Sequence, residues 1–155
     1  MPFTASRGFT LIELVAVMVI IGILATVLLP KWGGGSGFDE RGFRDRVVAG
    51  LRYAQKSAIA SRRTVCAGFS ASPASVAFRI STANGAANCA VGAALIGPES
   101  NALVVTAAGG VSFATPPADV IFDAAGRPGG GAVISVSGLP AALAITVEAE
   151  TGYVH

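Results

Sequence analysis

The chain has few of the residues on which most catalytic and metal sites depend. Its 155 residues include one histidine, two cysteines and only 13% charged residues. A tetrahedral zinc site would have to recruit carboxylates, and a histidine-dependent active site would rest on His155, the last residue of the sequence. Basic residues outnumber acidic ones by only 11 to 9, a balance too even for a generally basic nucleic-acid binder. We therefore expect no cofactor, no metal and no enzymatic activity.

Apolar residues are in excess and are unevenly placed. They make up 52% of the chain, and residues 9–29 read FTLIELVAVMVIIGILATVLL, with Glu13 as the one charge. As a helix rising about 1.5 Å per residue, this run would span roughly 31 Å, close to the thickness of a bilayer core. A cleaved secretory signal, whose apolar region has about 7–15 residues, is the less favoured alternative. We predict a retained transmembrane helix over residues 9–30, and Arg7 ahead of it predicts that the rest of the chain crosses the membrane.

The charge of Glu13 inside this run needs an explanation, because a carboxylate at the centre of a membrane helix costs roughly 2.5–3.5 kcal/mol on insertion scales. One interpretation places Glu13 near the membrane interface, four residues in from Phe9, where the cost is small. The other gives it a partner. Cleavage between Gly8 and Phe9 would create an amino group that can neutralise Glu13 of a neighbouring chain, and such pairing favours one axial stagger between the two helices.

At this point the sequence resembles a known family. Residues 7–30, RGFTLIELVAVMVIIGILATVLLP, are similar to the N-terminal segment of type IV prepilins and type II secretion pseudopilins. The similarity rests on a short leader ending in Gly8, followed by Phe9, Thr10, Leu11, Glu13, Gly22 and Pro30. It implies a leader over residues 1–8 that prepilin peptidase removes, and N-methylation of Phe9. It also implies extraction from the inner membrane into a filament of other pilins or pseudopilins, built at an inner-membrane assembly platform.

Within that helix, Gly22 and Pro30 are expected to weaken the backbone where a filament subunit would bend or melt. Glycine and serine then dominate residues 31–38, KWGGGSGF, which we interpret as a flexible linker. The linker would separate the transmembrane anchor from a periplasmic domain over residues 39–155.

We predict that this domain begins with an amphipathic helix over residues 39–60, capped by Ser36 or Asp39. Its apolar stripe recurs at steps of three and four residues and consists of Phe43, Val47, Leu51, Ala54, Ala58 and Ile59. Seven of the 11 basic residues lie between Arg41 and Arg63. We favour a solvated helix face for them, with acidic neighbouring subunits, anionic lipid or DNA as the alternatives.

From residue 64 to residue 155 the pattern changes to short β-prone runs separated by turn residues. We predict strands over residues 64–69, 76–80, 102–106, 111–114, 120–122, 132–136 and 144–149, with a loop over 84–97 held by Cys89. Cys66 and Cys89 have 22 residues between them, and an oxidising compartment favours a disulfide over two free thiols. The predicted fold class is α+β: a hydrophobic helix, a glycine-rich joint, and a second helix packed on an antiparallel β domain.

A second resemblance concerns residues 51–65, 120–128 and 145–155, which look like the GspH/FimT group of minor pilins and pseudopilins. The final TGYVH is closest to MSHA-type minor pilins of that group. Some FimT proteins bind DNA through arginines that follow a glycine at this turn. Here Tyr153 follows Gly152, so Arg127 is the basic residue nearby. The resemblance implies a minor pilin near a filament tip, with a type II secretion pseudopilin or a DNA-binding pilin for natural transformation as alternatives.

Overall fold

The chain divides between Gly35 and Ser36 into two compact units. A computed structural model describes residues 10–32 of the first unit and residues 36–155 of the second. The predicted leader, with Gly8, and the adjoining Phe9 lie outside the described residues. The first unit contributes helix α1, Leu11–Trp32, and the second begins with helix α2, Ser36–Ser61.

Helix α2 is longer than predicted, and both helices extend into the predicted linker. Helix α1 ends two residues inside the predicted linker, and α2 begins three residues before the predicted start at Asp39. Asp39 thus falls in the first turn of α2, where a carboxylate interacts favourably with the helix dipole. A glycine in a helix costs only about 1 kcal/mol relative to alanine, so Gly37 can be absorbed once the helix behind it is anchored by packing.

The β region forms two antiparallel sheets. The strands are β1 Val65–Ala71, β2 Ala74–Ser81, β3 Gly92–Ala94, β4 Val104–Thr106, β5 Val120–Phe122, β6 Ala132–Ile134 and β7 Ile145–Val147. The larger sheet has the order β3-β2-β1-β5, and β4 pairs with β2 further along the same edge as β3. Strands β6 and β7 form the second sheet, and a short 3-10 turn, Ala141–Leu143, lies between them in sequence.

Two parts of the strand prediction are wrong. Strand β3 lies inside the segment 84–97 that we predicted to be a loop, and its residues pair with β2 from Arg79↔Ala94 to Ser81↔Gly92. No β-branched residue marks it, but a Cβ on Gly92 would lie 2.6 Å from the carbonyl oxygen of Ile80, so glycine permits the close approach. The predicted strand 111–114 is reduced to a single bridge, Phe113↔Val136.

The core of the second unit forms where α2 packs on the larger sheet. Five of the six predicted stripe residues are fully buried: Phe43, Val47, Leu51, Ala54 and Ala58. The sixth, Ile59, is 49% exposed, which corrects that part of the prediction. From the sheet, Val65, Val76, Phe78 and Phe122 complete the centre of the core. The α+β class, with the second helix packed on an antiparallel sheet, is confirmed.

Candidate functional site: the N-terminal helix and the C-terminal turns

The N-terminus of α1 carries a side-chain cap. The hydroxyl oxygen of Thr10 accepts a hydrogen bond from the backbone N–H of Glu13 at 3.3 Å, and its carbonyl accepts one from Leu14 at 3.2 Å. Thr10 and Glu13 have the Thr-x-x-Glu spacing of a capping box, in which a hydroxyl satisfies a free N–H of the first turn. This role was not predicted from the sequence, although the Thr-x-x-Glu spacing indicates it. Glu13 therefore lies in the first turn, where the helix dipole favours its negative charge.

Apart from Glu13, the side chains of α1 from Leu11 to Leu24 form an apolar and exposed surface. Leu11 is 82% exposed, and even Val15 and Val17, the least exposed large apolar side chains up to Leu24, are each 45% exposed. Among the residues that the structure describes, the Glu13 carboxylate takes part in no ion pair. A soluble protein rarely leaves so large an apolar surface open, so this helix requires a covering of lipid or of other helices.

Gly22 and Pro30, predicted to weaken the helix, both lie inside α1. A Cβ placed on Gly22 would meet nothing within 4 Å, so neither packing nor a close approach requires glycine there. The weakening role that the sequence suggests for the two residues stays a prediction.

The two cysteines are joined. Cys66 on β1 and Cys89, just ahead of β3, form a disulfide with their Cα atoms 6.0 Å apart. Strand β3 pairs with β2 and not with β1, so the bond adds a covalent link between β1 and the segment ahead of β3. Cys89 is buried and its sulfur lies 3.5 Å from the carbonyl oxygen of Arg79. The bond thus fixes the segment that leads into β3.

Arg127 lies in a tight turn that Asp123 organises. One carboxylate oxygen of Asp123 accepts hydrogen bonds from the backbone N–H groups of Ala125 at 2.8 Å and Arg127 at 2.9 Å. The other lies 3.5 Å from the Arg127 guanidinium. The backbone N–H of Arg127, more than its side-chain charge, lowers the pKa of Asp123. Arg127 therefore has a carboxylate beside it, which reduces its availability for a phosphate.

Gln55 of α2 joins this turn to the C-terminal one. Its side-chain amide donates to the carbonyls of Gly126 at 3.1 Å and of Thr151 at 2.8 Å. Gly126 and Gly152 both have positive φ, 76° and 68°, and a Cβ on Gly152 would lie 2.3 Å from the Gly126 carbonyl oxygen. The structure thus brings together the three segments 51–65, 120–128 and 145–155, at a contact where only glycine fits at position 152.

Two arginines of the basic stretch also join α2 to the C-terminal β region. Arg52 donates to the carbonyl of Val154 at 2.9 Å, and Arg44 donates to the carbonyl of Leu143 at 3.3 Å. These guanidinium groups hold the C-terminal β region to the helix, so the basic face is in part structural. This function was not predictable from a local pattern, because the carbonyls concerned lie about a hundred positions away in the chain.

The exposed end of the C-terminal turn carries an aromatic pair. The rings of Tyr153 and His155 stack with their centroids 5.4 Å apart, and the His155 ring lies 3.2 Å from the Glu148 carboxylate. Over residues 10–32 and 36–155, no three histidine, cysteine or acidic side chains are grouped as a metal ion would require.

Comparison with known families gives one match. Residues 4–29 match the prokaryotic N-terminal methylation motif. The match supports a type IV pilin-like substrate of prepilin peptidase, which assembles with other pilins. It covers Gly8, Phe9, Glu13 and Gly22 and ends just before Pro30. No curated protein and no solved structure matches the chain.

The motif implies membrane anchoring followed by entry into a filament. In the portion of the chain that the structure describes, no helix meets both the length and the hydropathy of a membrane span. The single pass through the inner membrane, with the second unit in the periplasm, stays a prediction.

Proposed function

We propose that this protein is a minor pilin of a type IV pilus, cleaved after Gly8 and N-methylated on Phe9. Its periplasmic unit, Ser36–His155, takes a position at or near the filament tip, where it primes assembly or supports surface attachment. The role is mechanical and organisational rather than enzymatic. The partners are prepilin peptidase, other pilins and the inner-membrane assembly platform.

The observation that carries this proposal is the methylation motif on a helix that is apolar on every side and ends before a separate α+β unit. Full burial of a leucine, isoleucine or valine side chain is worth roughly 1.5–3 kcal/mol. Because α1 exposes such side chains all around, lipid and a bundle of sister helices can cover it equally well. The same segment can therefore serve first as anchor and then as filament core.

Glu13 determines the axial position that one α1 helix takes against its neighbour in the filament. Removal of the leader frees an amino group on Phe9, and this cation can pair with the Glu13 carboxylate of a neighbouring subunit. A misplaced subunit would bury one charge without the other, which costs several kcal/mol. Glu13 lies in the first turn of α1, where Thr10 caps its backbone N–H. Within the described residues its carboxylate forms no ion pair, so it is available for such a contact.

The test compares Glu13→Ala with Glu99→Ala, an exposed acid in the second unit, in cells that possess prepilin peptidase. Mass spectrometry of the mature chain should show removal of residues 1–8 and methylated Phe9 in both variants. The Glu13 variant should be depleted in the sheared filament fraction, whereas the Glu99 variant should match the wild type. Equal incorporation of both variants would refute the docking role. A mature protein that retains Met1 would refute the whole proposal.

Two other roles are compatible with the same N-terminal segment. A type II secretion pseudopilin shares the motif and the helix, and the subunits that co-purify with the chain would distinguish it. A FimT-like DNA-binding pilin would require Arg127, which Asp123 partly neutralises. For that role, the full chain in detergent should retard DNA in a salt-sensitive way, and Arg127→Ala should abolish the shift.

A further inference from the structure

A groove of about 560 Å³ runs between α2 and strand β4 in the second unit. Its helix side is formed by Arg46, Ala49, Gly50 and Tyr53, and its other side by residues 97–99 and 101–105. The hydroxyl of Tyr53 donates to the carbonyl of Ile96 at 2.9 Å and so ties the helix to the segment that leads into the loop. Ala49 is exposed and its small side chain leaves the groove open, whereas Gly50 is buried and a Cβ there would lie 2.7 Å from the Phe78 ring.

The strand beside this groove has an unpaired edge. Strand β4 pairs with β2. Two hydrogen bonds, from the Phe78 N–H to the Leu103 carbonyl and from the Ala107 N–H to the Ala74 carbonyl, show which residues of this segment direct their backbone groups to β2. In an antiparallel pair, alternate residues direct both backbone groups to the same neighbour. The N–H and C=O groups of Val104 and Thr106 therefore point to the opposite edge. Across the described strands, none pairs with that edge.

This edge has little of the usual protection against strand addition. Natural sheets guard their edges with very short strands, lysine, proline, bulges or a covering element, and of these β4 has its length of three residues but no lysine or proline. Strand β4 reads Val104-Val105-Thr106, and Val104 is 52% exposed. The edge is therefore suited to accept a further strand.

The groove also carries Arg46, which forms no ion pair with a carboxylate of the described residues. Arg46 is exposed, and its Nε donates to the carbonyl of Gly42 in its own helix at 3.3 Å, which holds the side chain along α2. No carboxylate of the described residues forms an ion pair with it. Glu99, the acidic residue among those lining the groove, lies on the loop side. A ligand that lies along the helix side thus meets positive charge above a floor of small residues.

From these features we infer that the groove binds an extended peptide segment of another protein, added as a strand on β4. Backbone groups of the peptide pair with Val104 and Thr106, and alternate apolar side chains enter the groove above Ala49 and Gly50. A peptide carboxylate pairs with Arg46. This mode of recognition, in which a strand is added beside a helix, takes affinity from the backbone and specificity from the pockets.

A second copy of the chain is the less suitable occupant. Strand β4 has no acidic residue, so pairing β4 with β4 of another copy would leave Arg46 without a carboxylate. The inference goes beyond the proposed function, because a pilin can assemble through α1 without any ligand in this groove.

The test uses the full chain in detergent micelles and fluorescein-labelled synthetic octapeptides of alternating Thr and Val. One peptide has Glu at position 5, a second has Lys there, and a third has Glu at position 5 and Pro at position 4. Fluorescence anisotropy should show saturable binding of the Glu peptide, with the Lys and Pro peptides each weaker by about tenfold or more, as expected for loss of a charge-assisted bond or of backbone pairing. Hydrogen exchange at the amides of Val104 and Thr106 should slow when the Glu peptide is bound.

Two variants and one control complete the test. Arg46→Glu should reverse the preference, so that the Lys peptide binds more tightly than the Glu peptide. Ala49→Leu should weaken both, because its side chain fills the groove. Arg41→Glu, on an exposed position of the same helix outside the groove, should change neither affinity. Absence of binding, or binding that Arg46→Glu leaves unchanged, would overturn the inference. Self-association of the chain that Arg46→Glu and Ala49→Leu both abolish would also overturn it, because the occupant would then be a second copy.

Discussion

The contact between the two C-terminal turns leads to a sharp prediction about stability. Gly152 has φ of 68°, a conformation that costs an alanine about 1–2 kcal/mol. A Cβ there would lie 2.3 Å from the Gly126 carbonyl oxygen and 2.7 Å from Nε2 of Gln55. These neighbours cannot both stay in place, so Gly152→Ala should also disrupt the two hydrogen bonds that Gln55 donates.

The chain offers a matched control in Gly85. Its φ is 73°, but a Cβ added there would meet nothing within 4 Å. Gly85→Ala should therefore cost only the backbone strain. With a net value of about 1 kcal/mol for each hydrogen bond lost, Gly152→Ala should lower the free energy of unfolding by about 2 kcal/mol more than Gly85→Ala.

Urea unfolding of the full chain in detergent micelles, followed by circular dichroism, would measure both variants. The midpoint for Gly152→Ala should lie clearly below that for Gly85→Ala, with unchanged dependence on urea concentration. Equal midpoints would show that the close contact with Gly126 and Gln55 makes no net contribution to stability.

Three further predictions concern other parts of the chain. Replacing both cysteines with serine (Cys66→Ser with Cys89→Ser) should cost about 3 kcal/mol of unfolding free energy, the value expected for a loop of this length; a loss below 1 kcal/mol in the same urea assay would contradict it. Thr10→Ala should remove about 1 kcal/mol from the start of α1, so amide exchange at Glu13 should accelerate while exchange in the middle of α1 does not; no change at Glu13 would exclude the cap. Because the folded state lowers the pKa of Asp123 below its usual 3.8, its carboxylate stabilises the turn above that pH and loses the effect as the pH falls through the folded value. Thermal melts should therefore show Asp123→Asn less stable than the wild type at pH 7 and equal to it at the acidic end, and a difference that does not depend on pH would contradict this account.

The parts of the fold that follow from local patterns could be predicted from the sequence. The stripe from Phe43 to Ala58 repeats with the period of a helix, and its burial follows from that period alone. The alternation around Val76 and Phe78 likewise predicts a strand with one buried face. Ile59 directly follows Ala58, so it lies about 100° round the helix from the buried stripe and is half exposed.

Features that depend on distant pairing could not be predicted. Strand β3 exists because β2 provides a partner, and its own residues, glycine and alanine, carry no β preference. The bonds of Gln55 join it to carbonyls 71 and 96 positions away, so no local pattern indicates them. The cap at Thr10 is different: its spacing to Glu13 is local, and the sequence contained the information.

The bond between Cys66 and Cys89 would have a mechanical consequence in the proposed role, in which a filament subunit is placed under tension. It closes a covalent ring of chain that contains all of β2 and most of β1. If the second unit is pulled from its two ends, the force passes through the sulfur atoms and bypasses this hairpin. The two cysteines are 23 positions apart, and an extended chain spans about 3.3–3.6 Å per residue. The disulfide therefore prevents roughly 80 Å of chain from extending when the unit is stretched. A subunit of this kind would extend less before its neighbours take up the load.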